Sequence, residues 1–459
     1  MSKKLILLYG GALCLLLNVI IPPFQNPDEP QHFRDILAYD LGSARGPEIE
    51  ERLIELMDRF DWWKRAGMGR PAELPRRFAG IPFLDLPGSA VTAGQPALYH
   101  LAAGALLRLV PSDDLLTIYY VCRLLSAALF CGTLLLLAAA FARVSQVPLE
   151  TAGLGFFFIL FLPQFSVLSI SVNPEAAAIF CGAAFFWAAA SWLQGRAGRL
   201  TLLAMPAAAL AGFLTDRSSF YLVPMALLVP AFSIKKKRPA RFLAAMGLLL
   251  VLGLVAASWA AWLFPGTVYN GLAAAYNFVF RAPLVPAEAA AGAGLAGADL
   301  LRFLDSAWLK FGWMAFPPGG PAHYLWRAAV LLASLGLSIA AVRRLGRRNA
   351  PSDTPPPAWA GRLAALSATA LALQLAAILR TALALGVPPQ GRYLFPVIFP
   401  LALLFVLGLE NLGAVFGPRA GRFLVAAFLV FEAVFFVLAL WGLIAPAFHL
   451  TAAAPHPGI

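Results

Sequence analysis

Charge is scarce in this sequence. Only 13% of the 459 residues are Asp, Glu, Lys or Arg, whereas 60% are apolar, and the mean hydropathy is +0.76. A soluble fold cannot hide that much apolar surface from water, so the composition excludes an ordinary soluble protein and predicts that a bilayer forms part of its solvent. We expect residues 1–459 to form one transmembrane domain.

Cysteine is also scarce, and two further signals are missing. No internal repeat is visible, and no small-x-small cleavage site follows the first apolar run, Leu5 to Pro22, which predicts an uncleaved first span. The cysteines have neither metal-ligand spacing nor partners in a soluble loop, so we expect small core side chains rather than disulfides. They are Cys14, Cys122, Cys131 and Cys181.

Lys and Arg give the chain a net charge of +12, and their positions say more than their number. They cluster at the ends of apolar runs, which is typical of cytoplasmic loops and predicts a cytoplasmic N-terminus. A nucleic-acid partner would need a basic patch on a soluble surface and is not expected. The clusters lie at residues 3–4, 196–199, 235–241, 343–348 and 419–422.

Apolar runs of spanning length dominate the chain. A spanning helix needs about 20 apolar residues, and about eleven runs qualify, so the predicted fold class is an all-α polytopic membrane protein. The runs cover about residues 5–23, 115–142, 149–171, 175–194, 200–215, 217–233, 240–264, 323–342, 361–385, 393–411 and 421–446.

The apolar segment 95–110 is ambiguous. If it is counted as a twelfth span, every later loop inverts and the basic cluster at 235–241 faces outward. If it stays outside the membrane, that cluster is cytoplasmic, which favours a membrane-hugging helix in a first outer loop, residues 24–114. The amphipathic stretch 48–64 of the same loop is expected to lie flat on the bilayer.

A second long outer loop is predicted at 265–322 and a Pro-rich cytoplasmic linker at 346–360. The second loop contains another amphipathic stretch, 300–313. Its aromatic residues are interpreted as an interfacial belt, although aromatic faces also suit a lipid or a sugar. They are Trp308, Phe311, Trp313 and Phe316.

Polar residues follow the first predicted span directly. Asp28 and Glu29 are adjacent carboxylates, and His32 lies one helical turn beyond Asp28. A helix end-cap is one interpretation, because Asp favours a helix start and Pro30 suits a first turn. A catalytic site is the other, and both can hold.

The predicted topology collects further polar residues at the same outer face. Ionisable residues at span ends that face a common cavity are functional candidates. Each has a structural alternative. Glu175 could cap a helix, Asp216 and Arg217 could form a local ion pair, and Arg392 could snorkel to the interface. Arg123, inside the second span, needs a partner or an aqueous cavity. The other candidates are Asn173, Gln390 and Tyr393, with Gln95, Tyr99 and His100 at the start of the membrane-hugging helix.

Five motifs carry a resemblance. They read Asn-Pro-Asp-Glu-Pro-Gln-His at 26–32, Gln-Pro-Ala-Leu-Tyr-His at 95–100, Asn-Pro-Glu at 173–175, Lys-Phe-Gly-Trp at 310–313 and Gln-Gly-Arg-Tyr at 390–393. Together they resemble a bacterial family of predicted membrane proteins of unknown function that is affiliated with the GT-C superfamily of membrane glycosyltransferases.

The resemblance implies a GT-C-like fold in the bacterial cytoplasmic membrane. It further implies transfer of a sugar from a polyprenyl-phosphate or polyprenyl-pyrophosphate carrier to a glycan, lipid or protein acceptor at the outer, periplasmic face. Direct displacement assisted by one base would invert the anomeric carbon. Membrane lipids are the remaining expected partners.

The same resemblance assigns roles to residues. Asp28, with Glu29 beside it, matches the catalytic first-loop acid, and Glu175 with Asn173 the second acidic position. Arg392 matches the phosphate-binding position, supported by His32, Gln390 and Tyr393. A divalent Mg²⁺ or Mn²⁺ would be held by Asp28 and Glu175, although the family's second motif often has two acids and this chain has one. Further pocket candidates are Asp216, Arg217, Gln95, Tyr99 and His100.

Two other functions remain open. A transporter or flippase of lipid-linked substrates would also contain buried charges, but the missing inverted repeat and the long outer loops favour the transferase. A non-catalytic subunit that keeps the fold is the third possibility.

Overall fold

The structure is a computed structural model, and it describes residues 2–26, 28–41, 46–66, 68–79, 81, 98–145, 150–233, 297–308, 321–346, 358–385 and 390–446. Every regular element within these ranges is helical. The α-helices are α1 (Lys3–Ile20), α2 (Glu29–Leu41), α3 (Gly46–Arg59), α4 (Trp62–Arg65), α5 (Leu98–Leu107), α6 (Leu115–Val144), α7 (Gly155–Leu160), α8 (Pro163–Leu168), α9 (Glu175–Leu193), α10 (Arg199–Phe213), α11 (Leu222–Ser233), α12 (Gly297–Trp308), α13 (Pro321–Gly346), α14 (Ala358–Leu385), α15 (Ile398–Gly413) and α16 (Pro418–Ala439).

Seven helices in the described part of the chain are long and apolar enough to cross a membrane, so the protein is a membrane protein. They correspond to the predicted spans at 5–23, 115–142, 175–194, 323–342, 361–385, 393–411 and 421–446. The predicted span at 240–264, most of the loop 265–322 and residues 347–357 of the linker lie outside the described residues.

The predicted continuous span at 149–171 is wrong. The segment consists of a 3-10 turn, Glu150–Leu154, followed by the short helices α7 and α8. Pro163 begins α8, and a proline both lacks an N–H and disfavours helical backbone in the residue before it. The Tyr9 hydroxyl donates to the Leu160 carbonyl at 3.0 Å, so α1 satisfies a carbonyl at the break.

One further predicted span, 200–215, is a short helix. At 1.5 Å per residue, α10 is about 22 Å long. A bilayer core is about 30 Å thick, so α10 does not cross it alone. The predicted span at 217–233 corresponds to a 3-10 turn and to α11, which is described as far as Ser233.

Helices α9 and α15 form the centre of the bundle. The spanning windows that contain them are 72% and 78% buried, whereas those of the other five candidate spans are between 22% and 39% buried. Helix α9 packs against α6 and α10, and α15 packs against α13 and α16. The chain segments that lead into both central helices therefore have fixed positions.

Helices α2 to α5 build a second apolar core beside the main bundle. The apolar face of α3 lies inside it, with Leu53 and Met57 fully buried, and Trp62 of α4 completes it. The prediction that 48–64 lies flat on the bilayer is therefore wrong, because the chain itself covers this face. The stretch also breaks at Asp61, whose φ is +53°.

Helix α5 belongs to this second core. The described helix, Leu98–Leu107, packs against α2 and α6. Tyr99 and His100 are buried on one face of α5, whereas Leu98 at its start is 37% exposed and Leu109 just after it is 78% exposed, so the membrane-hugging helix stays a prediction. Gln95 lies outside the described residues.

Helix α12 packs against α8, α13 and the 3-10 turn, Gly391–Val397, that leads into α15. Trp308 at its end is fully buried, with its ring 5.5 Å from Trp326 and 4.3 Å from Phe435, so the interfacial-belt interpretation is wrong for this residue. Phe311, Trp313 and Phe316 lie outside the described residues.

Candidate functional site at the start of the two central helices

Arg392 is the centre of the site. It lies in a 3-10 turn, Gly391–Val397, that leads directly into α15, and only 2% of it is exposed. Its Nη2 donates to Oδ2 of Asp28, and its Nε lies 3.3 Å from Oε1 of Glu175. One guanidinium thus joins two carboxylates from distant parts of the chain. Snorkelling is the wrong interpretation of Arg392, because its charge is paired inside the protein.

Glu175 is the first residue of α9, and its side chain faces Arg392. Oδ1 of Asn173 accepts the backbone N–H of Glu175 at 2.8 Å, just before α9, and the N-cap residue is Pro174, so the side chain of Glu175 does not cap the helix. Oε2 of Glu175 and Nη1 of Arg392 have no hydrogen-bond partner among the described residues. Buried polar atoms are nearly always bonded, so these two atoms are positions where water or a ligand would complete the hydrogen bonding.

Asp28 adopts a strained backbone conformation. Its φ is +65°, in the left-handed region, which costs roughly 1–3 kcal/mol for such residues and clusters at functional sites. Its side chain is 30% exposed, the most accessible of the three charged groups. Burial alone would raise the pKa of Asp28, but Arg392 and His32 outweigh it and hold the pKa below its usual value. Asp28 is therefore ionised at neutral pH.

Glu29 is adjacent in sequence but does not join Arg392. It is fully buried, and its carboxylate accepts the backbone N–H groups of Asn26 at 3.1 Å and Val172 at 3.0 Å. Nη2 of Arg123 lies 3.4 Å away. The catalytic assignment of Glu29 does not fit this environment, since both oxygens hold the segments that carry Asp28 and Glu175.

Arg123 lies inside the second predicted span and is fully buried, and the protein supplies the partners that its charge needs. Besides Glu29, its guanidinium donates to the Tyr119 hydroxyl at 2.9 Å and to the carbonyls of Ile21 and Pro22 at 2.8 and 3.0 Å. These bonds fix the end of α1 to α6, so the residues that follow, including Asp28, leave the bundle at a defined place.

Arg217 contributes a second cation to this end of the bundle. The carboxylate of Asp216 accepts the Ser218 N–H at 2.7 Å, which starts a 3-10 turn, Arg217–Ser219, that packs against α9 and the turn of Arg392. Within the described ranges no carboxylate lies within ion-pair distance of Arg217, and its Nε has no hydrogen-bond partner there. The local Asp216–Arg217 ion pair is not formed.

Tyr393 and Gln390 flank Arg392. The guanidinium lies 5.2 Å from the centre of the Tyr393 ring, and Nη2 lies 3.4 Å from its hydroxyl. The backbone carbonyl of Tyr393 accepts Nε2 of Gln374 at 2.6 Å, a contact that the sequence did not indicate. The side-chain carbonyl of Gln390 has no partner among the described residues.

His32 faces His100 rather than the carboxylate of Asp28. Nδ1 of His32 and Nε2 of His100 are 3.1 Å apart. Burial lowers the pKa of both imidazoles, although Asp28 opposes the effect at His32, and both are neutral at pH 7. Beneath them the Tyr99 hydroxyl pairs with Ser126 at 2.9 Å, so Tyr99 supports the site from the second core.

Gly391 lets α12 lie directly against the site. A Cβ atom at this position would come within 2.3 Å of the Ala307 nitrogen and 2.4 Å of the Phe303 carbonyl oxygen. The Gly391 N–H donates to Oγ of Ser306 at 2.7 Å. Sequence reasoning missed this contact, because nothing local marks which helix approaches the glycine.

We therefore expect Gly391→Ala to push α12 away from Arg392. Overpacking of this kind costs about 1–3 kcal/mol, because both obstructing atoms belong to the backbone. Thermal unfolding of the purified protein measures the loss. Gly198→Ala is the matched control, since a Cβ there meets nothing within 4 Å. Equal melting temperatures for the two variants would contradict the contact.

The pair Asp28 and Glu175 does not fit the predicted Mg²⁺ or Mn²⁺ site. Both carboxylates already face the guanidinium of Arg392, which occupies the position between them. A divalent cation held by the same two oxygens would meet a positive charge. No step of the chemistry is therefore assigned to a metal at this pair.

Comparisons of the chain with models of known protein families, with curated proteins and with solved structures find no match. The resemblance to the GT-C superfamily thus stays a prediction from motifs.

Proposed function

We propose that this protein transfers a sugar from a polyprenyl-phosphate or polyprenyl-pyrophosphate carrier to an acceptor at the outer face of the bacterial cytoplasmic membrane. The observation that supports it is the Asp28–Arg392–Glu175 cluster. It combines a partly exposed, ionised carboxylate with a buried cation at the start of both central helices. A lipid-linked donor has its tail in the bilayer and its phosphate at the end of a span, so this is a place where its reactive carbon can be reached.

Arg217 is the better candidate for binding the donor phosphate. Arg392 is held by two carboxylates and keeps only Nη1 for a ligand, whereas Arg217 has no carboxylate partner in the described structure. The start of α9 adds partial positive charge from its backbone N–H groups. In this scheme Arg392 mainly positions Asp28 and Glu175, and Arg217 offsets the charge that builds up on the leaving phosphate.

Asp28 acts on the acceptor. A bond forms between the acceptor hydroxyl oxygen and the anomeric carbon while the bond from that carbon to the phosphate oxygen breaks, and Asp28 takes the hydroxyl proton. Such proton transfer contributes roughly 100-fold to 10,000-fold to a rate. Because its lowered pKa makes Asp28 a weak base, it takes the proton late, once the attacking oxygen has become acidic. Displacement on one face inverts the anomeric centre.

One observation favours a transporter or flippase instead. Transporters bind substrate at discontinuous helices near the middle of the membrane, and the segment of α7 and α8 is discontinuous. A transporter moves the lipid-linked sugar without cleaving it, so the product separates the two functions. A non-catalytic subunit would neither cleave nor move it.

The test uses the full-length protein in lipid nanodiscs with radiolabelled polyprenyl-phosphate sugars and an envelope extract as the source of acceptors. We expect the label to leave the lipid and free polyprenyl phosphate to appear in equal amount. Asp28→Asn protein is the negative control. An intact donor in every reaction, with every sugar tried, would contradict the proposal.

Substitution of Arg217 tests the phosphate assignment. Hydrogen bonds to charged groups contribute about 1.5–3 kcal/mol, so Arg217→Gln should raise KM for the donor by roughly 10-fold to 100-fold. Arg217→Lys keeps the charge and should lose less. Arg199→Gln, an exposed arginine at the opposite end of α10, is the control. Similar KM values for Arg217→Gln and the control would refute this role.

A further inference from the structure

Three metal-ligating side chains converge on the helix that follows Asp28. His32 and Asp35 are three residues apart, which places them on one face of α2, and His100 approaches from α5. Their ligand atoms all lie within 4.8 Å of one another. None of the three belongs to the Asp28–Arg392–Glu175 cluster.

We propose that His32, Asp35 and His100 bind a divalent transition metal of the zinc type. Two imidazoles and one carboxylate match the three protein ligands of open zinc sites, in which water takes the fourth position. Mg²⁺ prefers oxygen ligands in octahedral geometry, which this set does not provide. The proposal does not depend on the sugar-transfer function.

The spacing of the two imidazoles suits one shared ion. Two nitrogens bound tetrahedrally to the same zinc at about 2.0–2.1 Å are roughly 3.3 Å apart. Nδ1 of His32 and Nε2 of His100 are 3.1 Å apart, so an ion needs only a small adjustment of the rings. The competing interpretation is a plain N–H···N hydrogen bond between two neutral rings, which fits the same distance.

The surroundings of Asp35 resemble the outer shell of a metal site. Arg34 donates to Oδ1 of Asp35 from Nε at 3.3 Å and from Nη2 at 3.1 Å, which orients the carboxylate and leaves Oδ2 for an ion. Such outer partners commonly fix ligand orientation. Asp35 and His100 are 7% and 4% exposed, so bulk water does not compete freely for the ion.

The position of the ion defines what it would do. It would join α2 to α5 one turn after Asp28, whose backbone carbonyl accepts the His32 N–H at 3.1 Å. The metal would therefore be a positioning element for the strained Asp28 segment rather than a participant in bond breaking. His32, Asp35 and His100 are positioning residues in this scheme.

Metal binding by the full-length protein in detergent tests the proposal. After treatment with a chelator and dialysis against Co²⁺ or Zn²⁺, we expect about one ion per chain by elemental mass spectrometry, and Co²⁺ should give the intense visible absorption of low-coordinate sites. His32→Gln and His100→Gln should each lower the affinity at least about 10-fold. Zn²⁺ should raise the melting temperature of the unaltered protein and of neither variant.

His323→Gln is the matched control. His323 is also buried beside a carboxylate, with Nδ1 3.3 Å from Oδ1 of Asp305, but no second imidazole accompanies it within the described residues. The control should bind metal like the unaltered protein. A protein that binds no metal above the chelator-treated blank overturns the proposal, as does equal binding by His100→Gln. Comparing melting temperatures in chelator separates lost ligands from lost folding.

Discussion

Asn in place of Asp28 should abolish sugar transfer in a protein that still folds. The amide keeps the size of the carboxylate, and Asn tolerates the left-handed backbone that Asp28 adopts. It cannot accept the proton of the acceptor hydroxyl, so turnover should fall by roughly 100-fold to 10,000-fold. Release of label from a polyprenyl-phosphate sugar at saturating donor measures the effect.

Asp61→Asn is the control for this substitution. Asp61 is another aspartate with positive φ, +53°, but it is exposed between α3 and α4 and has no contact with Arg392. Its variant should keep full turnover and an unchanged melting temperature. Asp28→Asn protein that turns over donor at the normal rate would remove Asp28 from the chemistry.

Among the substitutions proposed for this protein, Glu29→Ala should lower the free energy of unfolding most. It leaves Arg123 fully buried without a charged partner and removes the acceptor for two backbone N–H groups. Removing one member of a buried ion pair costs about 3–5 kcal/mol. Thermal unfolding in a single detergent measures the change, and Glu29→Gln, which keeps a hydrogen-bonding oxygen, should lose less.

Glu51→Ala provides the comparison. Glu51 pairs with Arg76 at 3.5 Å, and their side chains are 46% and 85% exposed. Exposed pairs contribute about 0–1 kcal/mol, so this variant should melt almost like the unaltered protein. Equal losses for the Glu29 and Glu51 variants would mean that Glu29 does not anchor the loop.

The sequence predicted the residues of the cluster through topology. Charge bias at the span ends put Asp28, Glu175 and Arg392 on one side of the membrane, and the structure brings these three together. The sequence could not show which of Asp28 and Glu29 faces Arg392. That outcome depends on the left-handed backbone of Asp28 and on Arg123 from another helix, which pairs with Glu29. Neither is visible in local residue types.

The fold was harder to predict where apolar residues are covered by protein. Hydropathy counts apolar side chains but does not say whether lipid or another helix covers them. The amphipathic α3 was therefore expected on the bilayer, although its apolar face packs in the second core. For the same reason the sequence predicts an interfacial position for Trp308, and the apolar run at 149–171 gives no sign of the helix break before Pro163.

The short apolar helices bear on how the chain enters the bilayer. Helix α10 is too short to leave an insertion channel for lipid as an independent span, and the turn between α10 and α11 holds the charged Arg217. The long central helix α9 precedes them in the chain and packs against both. We expect them to enter the membrane as a hairpin alongside α9. Membrane insertion of α10 and α11 and their packing against α9 would then occur in the same step.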